Sequence, residues 1–381
     1  MIKKIDLIIP TVLKSPRLHR FETYSFPSLT GNWFPVWLLK DKLKKSGIKV
    51  RFLNIYNINR FKLSDIVGID HKVVYDLANK YNLKGNLRKK NELFLSFLKK
   101  LKKKVDLLTL FDNKDSTDIQ QEFLPIVDYY FKKQCYKDFI DYSKKFYLKR
   151  IFTDFYARNY EIDISDENLY SFDDVLKSKE KIKISWNFAY KDYRHSNSLN
   201  RLVLGFNRSI SPKFFAPRND RELVLSANFS VKSVNELLYF QRKMLLETLE
   251  QNFKAKKPIS VGKVPKSQYL KNVRISKSIV SPFGWGEICY RDFETFIAGA
   301  ALIKPNINHI NTWPDLFVEN ETYIPISWKV ENWEKEFSKI LSDDDNLLKV
   351  AQKGQNVYKK IWSKEGQNSF VEHFKEMFGS I

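Results

Sequence analysis

The sequence predicts an α/β protein built from two Rossmann-like domains facing a cleft. Three observations predict it. Short apolar runs of strand length alternate with amphipathic runs of helical period along most of the chain, and that alternation builds parallel sheets covered by helices. It lapses once, over residues 159–215, and resumes behind Pro212 and Pro217, which divides the chain into two such units. The chain also has 381 residues, beyond the size at which one hydrophobic core keeps growing.

In the first unit, residues 5–9 form a buried strand, 15–32 a loop rich in Ser, Pro and Gly, and 33–46 an amphipathic helix. Gly47 then stands where a helix C-cap would, and IKVRFLNIY is the next strand. Strand, loop, helix, glycine, strand is the βαβ signature. DIVGIDHKVVYDLANKYN adds a strand or turn and a helix. In LRKKNELFLSFLKKLKKKV, residues 87–105, Asn91 is the expected cap. Leu93, Phe94, Phe97, Leu98 and Leu101 share one side, and Lys99, Lys100, Lys102, Lys103 and Lys104 crowd the C-terminal end, complementing the helix dipole. Such a helix either packs its apolar side on the first sheet or lies on anionic lipid.

VDLLTLFDNKDST reads as a buried strand ending in Asp112, Asp115, Ser116 and Thr117. The carboxyl edge of a parallel sheet is where ligands bind; the same residues could instead cap a helix starting near Asp118. Residues 159–215 are irregular, with the acidic SDENLYSFDD and the crowded WNFAYKDYRHSNSLNR. The expected domains are 1–215 and 216–365, with 366–381 a terminal helix returning to the first. The second unit reads as strand 222–228, helix 234–252, strand 276–280, a helix from Glu287, strand 301–304, and amphipathic helices to the end. Asp343 to Asp345 precede an apolar periodic run, so helix-start capping is preferred over a metal site.

Composition narrows the function classes. With 66 Lys and Arg against 44 Asp and Glu, the formal charge is +22, which favours an anionic partner. Hydrophobic residues at 43% exclude a disordered chain. Cys135 and Cys289 are the two cysteines, so neither a disulfide framework nor a CxxC metal pattern is available, and a reducing compartment is expected. Asp6 and Pro10 interrupt the one apolar stretch near the start, which argues against a signal peptide. No run approaches the roughly 18 apolar residues of a membrane span.

SPFGWGEICYRDFETFIAGAALIKP, residues 281–305, concentrates the chemistry. Pro282, Gly284 and Gly286 must turn the chain at the sheet's carboxyl edge, and glycine lets a ligand approach the backbone. A helix starting near Glu287 would turn its free N–H groups to that loop, a natural seat for a phosphate. On that helix Glu287, Arg291 and Glu294 would share one face, either around a ligand or as a solvated ladder.

This stretch, with the PDLF and ETYIP segments and the terminal helices, resembles the C-terminal nucleotide-sugar-binding domain of GT-B glycosyltransferases, most of all bacterial family-1-like transferases of surface glycans. The resemblance covers residues 221–375 well and the N-terminal half in outline. In that family a Pro-Phe-Gly turn leads to a helix with two glutamates. Glu294 followed by FIAGA matches the second, which the resemblance assigns to the ribose hydroxyls. Six residues separate Glu287 from Glu294, one fewer than in the family pattern, and Gly286 occupies the first glutamate's register.

The resemblance implies transfer of a sugar from a nucleotide-sugar donor to a cell-surface glycan or lipid-linked acceptor, with no cofactor beyond the donor. Gly284, Gly286, Glu287, Arg291 and Glu294 would line the donor site, joined by Asn228 and Lys232 after the first strand of the second unit and by Arg242 in the next helix. Cationic side chains can neutralise a departing diphosphate without a metal. The first domain would then present the acceptor and a general base; Asp112, Asp115 and His19 are the candidates, and His195 beside Arg194 is a fourth. The expected location is cytoplasmic, peripheral on the inner membrane face, with residues 87–105 meeting the anionic surface. The competing class is a nucleic-acid-binding protein, motivated by the charge and by 30 Phe, 19 Tyr and 8 Trp; no RRM, KH or helix-turn-helix signature accompanies them, so no nucleic-acid partner is expected.

Overall fold

The computed structural model describes residues 3–11, 31–83, 86–165, 169–172, 174–191, 193, 211–232 and 236–378. In chain order the first half comprises β1 (Lys3–Ile8), α1 (Phe34–Leu38), α2 (Lys40–Lys45), β2 (Ile48–Leu53), β3 (Ile66–Asp70), α3 (Val73–Lys80) and α4 (Leu87–Lys102). It continues with β4 (Leu107–Asp112), β5 (Tyr129–Lys132), β6 (Gln134–Tyr136), β7 (Phe146–Tyr147), α5 (Ile151–Asn159), β8 (Leu169–Tyr170) and β9 (Ile182–Ile184). Six of these strands form one parallel sheet, in the order β2-β1-β3-β4-β5-β9. Helices cover both faces of such a sheet, so its central strands are buried and mostly apolar. β4, LLTLFD, is buried at every residue.

Three expectations for this half need correction. The single helix over 33–46 is two short ones, because Leu39, at φ -97 and ψ 14, breaks the helical path between them. α4 is capped by Asn86 rather than Asn91: the Asn86 side chain accepts the Lys89 N–H at 3.0 Å. Phe94, Leu98 and Leu101 of α4 are buried with Val73, Leu77 and Phe123. The helix therefore takes the core-packing alternative and has no apolar side left for lipid, while Lys99, Lys100, Lys103 and Lys104 are exposed. Nor does a helix begin near Asp118; Thr117 and Asp118 are buried, and one 3-10 turn follows at Gln121–Phe123.

The second half comprises β10 (Leu223–Ala227), α6 (Glu236–Asn252), β11 (Ile259–Val261), α7 (Lys266–Ile275), β12 (Ser276–Val280), α8 (Tyr290–Ala298), β13 (Ala301–Pro305), β14 (Ile310–Thr312), β15 (Ile324–Ile326), α9 (Trp333–Ile340), α10 (Asp344–Trp362) and α11 (Lys364–Met377). Its parallel sheet runs β11-β10-β12-β13-β15. Asp343 caps α10, accepting the Asn346 N–H at 2.9 Å. Both sheets reverse strand order beside their first strand, between β1 and β3 and between β10 and β12. The crevice outside the carboxyl ends at such a point is where doubly wound sheets take ligands.

Among the described residues the two halves are joined in several places. β6 pairs antiparallel with β14. α5 meets α6, where Gln241 Nε2 donates to the Tyr156 hydroxyl at 3.2 Å. α11 lies against the first sheet, with the Phe378 ring 5.6 Å from that of Phe131 and 6.3 Å from that of Phe111. Two doubly wound parallel sheets with their carboxyl-edge loops in contact make the GT-B architecture.

Candidate active site

The loop after β12 begins where the Ser281 N–H donates to the Ile303 carbonyl at 2.8 Å. The helix behind it starts at Tyr290, not at Glu287. Asp292 sets that start: one carboxylate oxygen accepts the Cys289 N–H at 3.0 Å and the other accepts the Ser281 hydroxyl at 2.5 Å. Buried Lys304 binds the same carboxylate at 2.6 Å and the Glu287 carbonyl at 2.8 Å. The amino end of α8 is thus occupied by the chain's own carboxylate, which removes it as the expected phosphate seat.

Glu287 lies ahead of the helix, so the expected Glu287, Arg291, Glu294 face does not form. Its carboxylate is buried and turned to the other domain: Gln134 Nε2 donates to it at 2.6 Å and His309 Nε2 lies 3.2 Å away. Gly286 serves a backbone approach. A side chain there would begin 1.4 Å from the Asp115 carbonyl oxygen, so only glycine lets the two carboxyl-edge loops meet. Trp285 between the glycines is 47% exposed, with the Arg150 guanidinium 5.2 Å over its ring and Arg150 Nε donating to its carbonyl at 2.6 Å.

At the second sheet's switch point two guanidiniums converge. Arg291, the second residue of α8, lies 5.6 Å over the Phe229 ring and donates to the Asn228 carbonyl at 3.4 Å, while its Nε is buried with no partner among the described residues. Arg242 reaches over from α6 and donates to the Phe283 carbonyl at 3.0 Å and the Ser230 carbonyl at 3.1 Å. Burial, and next to it the charge of Arg291, lowers the pKa of Arg242. Among the described residues neither arginine has a carboxylate in salt-bridge range. Gly284 keeps the space beside them open: a side chain on it would begin 3.5 Å from Arg242 Nη2.

One turn further along α8, Glu294 accepts the Tyr269 hydroxyl at 2.5 Å. Burial, and after it the Glu294 charge, raises the Tyr269 pKa, which keeps that phenol a donor. Asn228 stands at the end of β10 with its amide already engaged. It donates to Ser260 Oγ and the Gly262 carbonyl at 3.1 and 3.0 Å and accepts from Asn272 and Ser226 at 2.8 and 2.7 Å. That network ties strand ends together and leaves no amide proton for a phosphate. Lys232 is exposed on the same side, its N–H donating to Ser230 Oγ at 3.2 Å.

The first sheet separates the two aspartates. Asp112 is fully buried, bound by Lys132 Nζ at 2.9 Å and by the Tyr130 hydroxyl at 2.5 Å. Burial alone would raise its pKa, but Lys132, His71, Lys114 and the Tyr130 hydrogen bond together outweigh it and the net shift is downward. A carboxylate closed off in this way cannot touch an acceptor. Asp115 is open: its side chain is 48% exposed and pairs with Lys133 Nζ at 2.8 Å. Burial lowers the Lys133 pKa to about 8, and its ammonium sits 3.7 Å over the Phe188 ring. His19 and His195 lie outside the described residues.

Sequence reasoning missed Lys132, Lys133 and Gln134, the bridge between the sheets. Their signal is faint but present, two lysines and an amide closing the apolar run YYF at a strand's carboxyl end. His309 and Tyr269 carried no local signal, since each is far in sequence from the residue it meets.

No protein-family model matches the chain, and no curated protein sequence matches it. Among solved structures the chain is similar to a DNA-modifying β-glucosyltransferase studied with and without uridine diphosphoglucose. The identity is 13%, with 99% of each chain covered and a TM-score of 0.46. It is also similar to Anabaena HepE in complex with UDP, at 9% identity, full coverage of both chains and a TM-score of 0.43. An α-glucosyltransferase in complex with UDP-glucose and DNA containing an abasic site is similar at 8% identity, covering 98% of this chain and 99% of that one, TM-score 0.47.

Proposed function

We propose that this protein is a glycosyltransferase that moves a sugar from a nucleoside diphosphate donor held by the second domain to an acceptor presented by the first. The observation that carries the reading is the Arg242 and Arg291 pair. Neither guanidinium makes an ion pair among the described residues, and Arg242 in particular is disfavoured as a cation by burial and by the charge of Arg291, so a diphosphate between them would stabilise the pair. The same pair would stabilise the charge that develops on the departing diphosphate, in a site shielded from water. Glu294, one turn from Arg291, is a carboxylate acceptor suited to ribose hydroxyls, with Tyr269 fixing one of its oxygens.

On the acceptor side Asp115, of the two candidate aspartates, is the proposed base. It is exposed at the junction of the two sheets, beside the loop that carries Trp285. Lys133 holds its carboxyl below the ordinary range against the opposing pull of burial, so it is ionised at neutral pH. The acceptor belongs to the same proposal: a cell-surface glycan or lipid-linked sugar, met at the cytoplasmic face of a membrane. The exposed lysines at the end of α4 support attachment by charge alone, and the two free cysteines suit a reducing compartment.

A thermal-shift series with UDP, GDP, ADP and CDP tests the donor site. A cognate ligand at about 100 times its Kd adds about 2.7 kcal/mol of stability. Arg291→Ala and Arg242→Ala should each weaken that ligand by tenfold or more, about 1.4 kcal/mol. Unchanged affinity in both would refute the assignment. Transfer from the matching nucleotide sugar to a panel of glycan, lipid-linked and hydroxylated DNA acceptors then tests the acceptor.

A further inference from the structure

A second group of donors lies at the carboxyl edge of the first sheet, outside the donor site. His71 directly follows β3 and is 4% exposed. Its Nδ1 accepts the Asn113 N–H at 3.1 Å. The ring proton is therefore on Nε2, which has no partner among the described residues, in a side chain that lines a cavity of about 160 Å³. Burial is the first cause that lowers the His71 pKa, to about 4, so the ring is a neutral donor at ordinary pH and not a base.

Lys90 from α4 and Lys114 from the loop after β4 line the same cavity, and neither has a carboxylate partner among the described residues. The nearby acids are committed elsewhere. Asp112 is bound by Lys132. Asp70 accepts from Trp33 Nε1 at 2.7 Å and Asn113 Nδ2 at 2.8 Å. Glu122 accepts from Asn91 Nδ2 at 3.2 Å. Both aspartates approach His71 on its Nδ1 side, at 3.6 Å, away from Nε2.

We propose that this cavity is an oxyanion site, with His71 Nε2, Lys90 and Lys114 as the donors to a phosphate-type group. The His71 donor belongs to a side chain that opens onto the cavity, and two lysines lining the same cavity supply charge of one sign. The volume lies below the roughly 300–1,000 Å³ of pockets that enclose drug-sized ligands, so it takes a small anion or the anionic end of a larger molecule. The site does not depend on the transferase reading. Where that reading holds, the cavity lies on the acceptor domain, and the anionic group is one that the acceptor carries.

Phosphorus NMR or calorimetry with inorganic phosphate on the full chain tests it, in an Arg291→Ala background that removes the proposed diphosphate site. The expected result is binding that Lys90→Gln/Lys114→Gln weakens by about tenfold or more, as loss of charge-assisted bonds requires, with an unchanged urea midpoint. Lys90→Gln alone, on an accessible helix, repeats the test if the double variant folds poorly. Absence of phosphate binding in the Arg291→Ala protein, or equal binding in the lysine variants, overturns the proposal. Tighter binding of glucose 6-phosphate than of phosphate would identify a sugar-borne anion; equal binding would identify a free one. Failure of UDP to bind at Arg291 would refute the donor assignment and leave this result standing.

Discussion

Replacing Gly286 with alanine tests how the two domains are held. The new methyl would begin 1.4 Å from the Asp115 carbonyl oxygen and 2.3 Å from its carbonyl carbon, so the first contact falls about 1.6 Å short of the 3.0 Å that real side chains keep. The obstacle is backbone, and it cannot swing aside. The same Asp115 carbonyl accepts Gln134 Nε2 at 2.9 Å, and Gln134 also donates to Glu287 at 2.6 Å. Opening the junction by that amount breaks the second of these bonds, which crosses between the halves and goes to a charged group, while the first stays within the first half. At about 1.5–3 kcal/mol for a bond to a charged group, the loss is about 2 kcal/mol. Urea denaturation should show a lower midpoint, and small-angle scattering a larger radius of gyration. Nucleotide binding at Arg242 and Arg291 should persist, because both belong to the second domain. Transfer should fall steeply, because Asp115 moves away from the donor. A stability change under about 0.5 kcal/mol, the range of a neutral surface substitution, with full transfer activity, would refute the reasoning.

Lys132→Met leaves Asp112 buried and unpaired and should cost about 3–5 kcal/mol; adding Asp112→Asn should recover most of it, and equal urea midpoints for the single and double variants would contradict the pairing. His71 has a folded pKa of about 4, below its unfolded value of about 6.5. Its contribution is complete above pH 6.5 and is lost as pH falls toward 4, by up to about 3 kcal/mol. Asp112, also shifted down, extends the loss below its unfolded value of about 3.9. Urea midpoints across pH 4–7 should fall with acid, and His71→Gln should remove the part between 4 and 6.5. Because α4 keeps its apolar side in the core, attachment to anionic vesicles should be purely electrostatic. Changing Lys99, Lys100, Lys103 and Lys104 to Gln, or raising salt to about 1 M, where the screening length is about 3 Å, should abolish it without altering stability. Salt-resistant binding would show an apolar contact elsewhere.

The sequence alone determined what depends on local pattern. Apolar runs such as LLTLF, the glycine at 47 and the aspartates before α10 each act on near neighbours, so strands, breaks and caps could be read directly. The break at Leu39 and the Asn86 cap shifted boundaries without changing the element types. Arg242 and Arg291 were named from their places in the pattern. Their lack of carboxylate partners became visible only when two distant helices came together. Tertiary structure also decided which charges are open to a ligand. Asp112 and Asp115 stand three positions apart and read alike in sequence, yet one meets buried Lys132 and the other faces the junction. Glu287 read as a helical ligand until Asp292 moved the helix start and Gln134 and His309, 153 and 22 residues away, claimed its carboxylate. Gly286 looked like a phosphate turn and proved to be the space through which another backbone passes. Periodicity is a property of neighbours in the chain. Burial and partnership of a charge are set by residues far along it, and those only the folded molecule brings together.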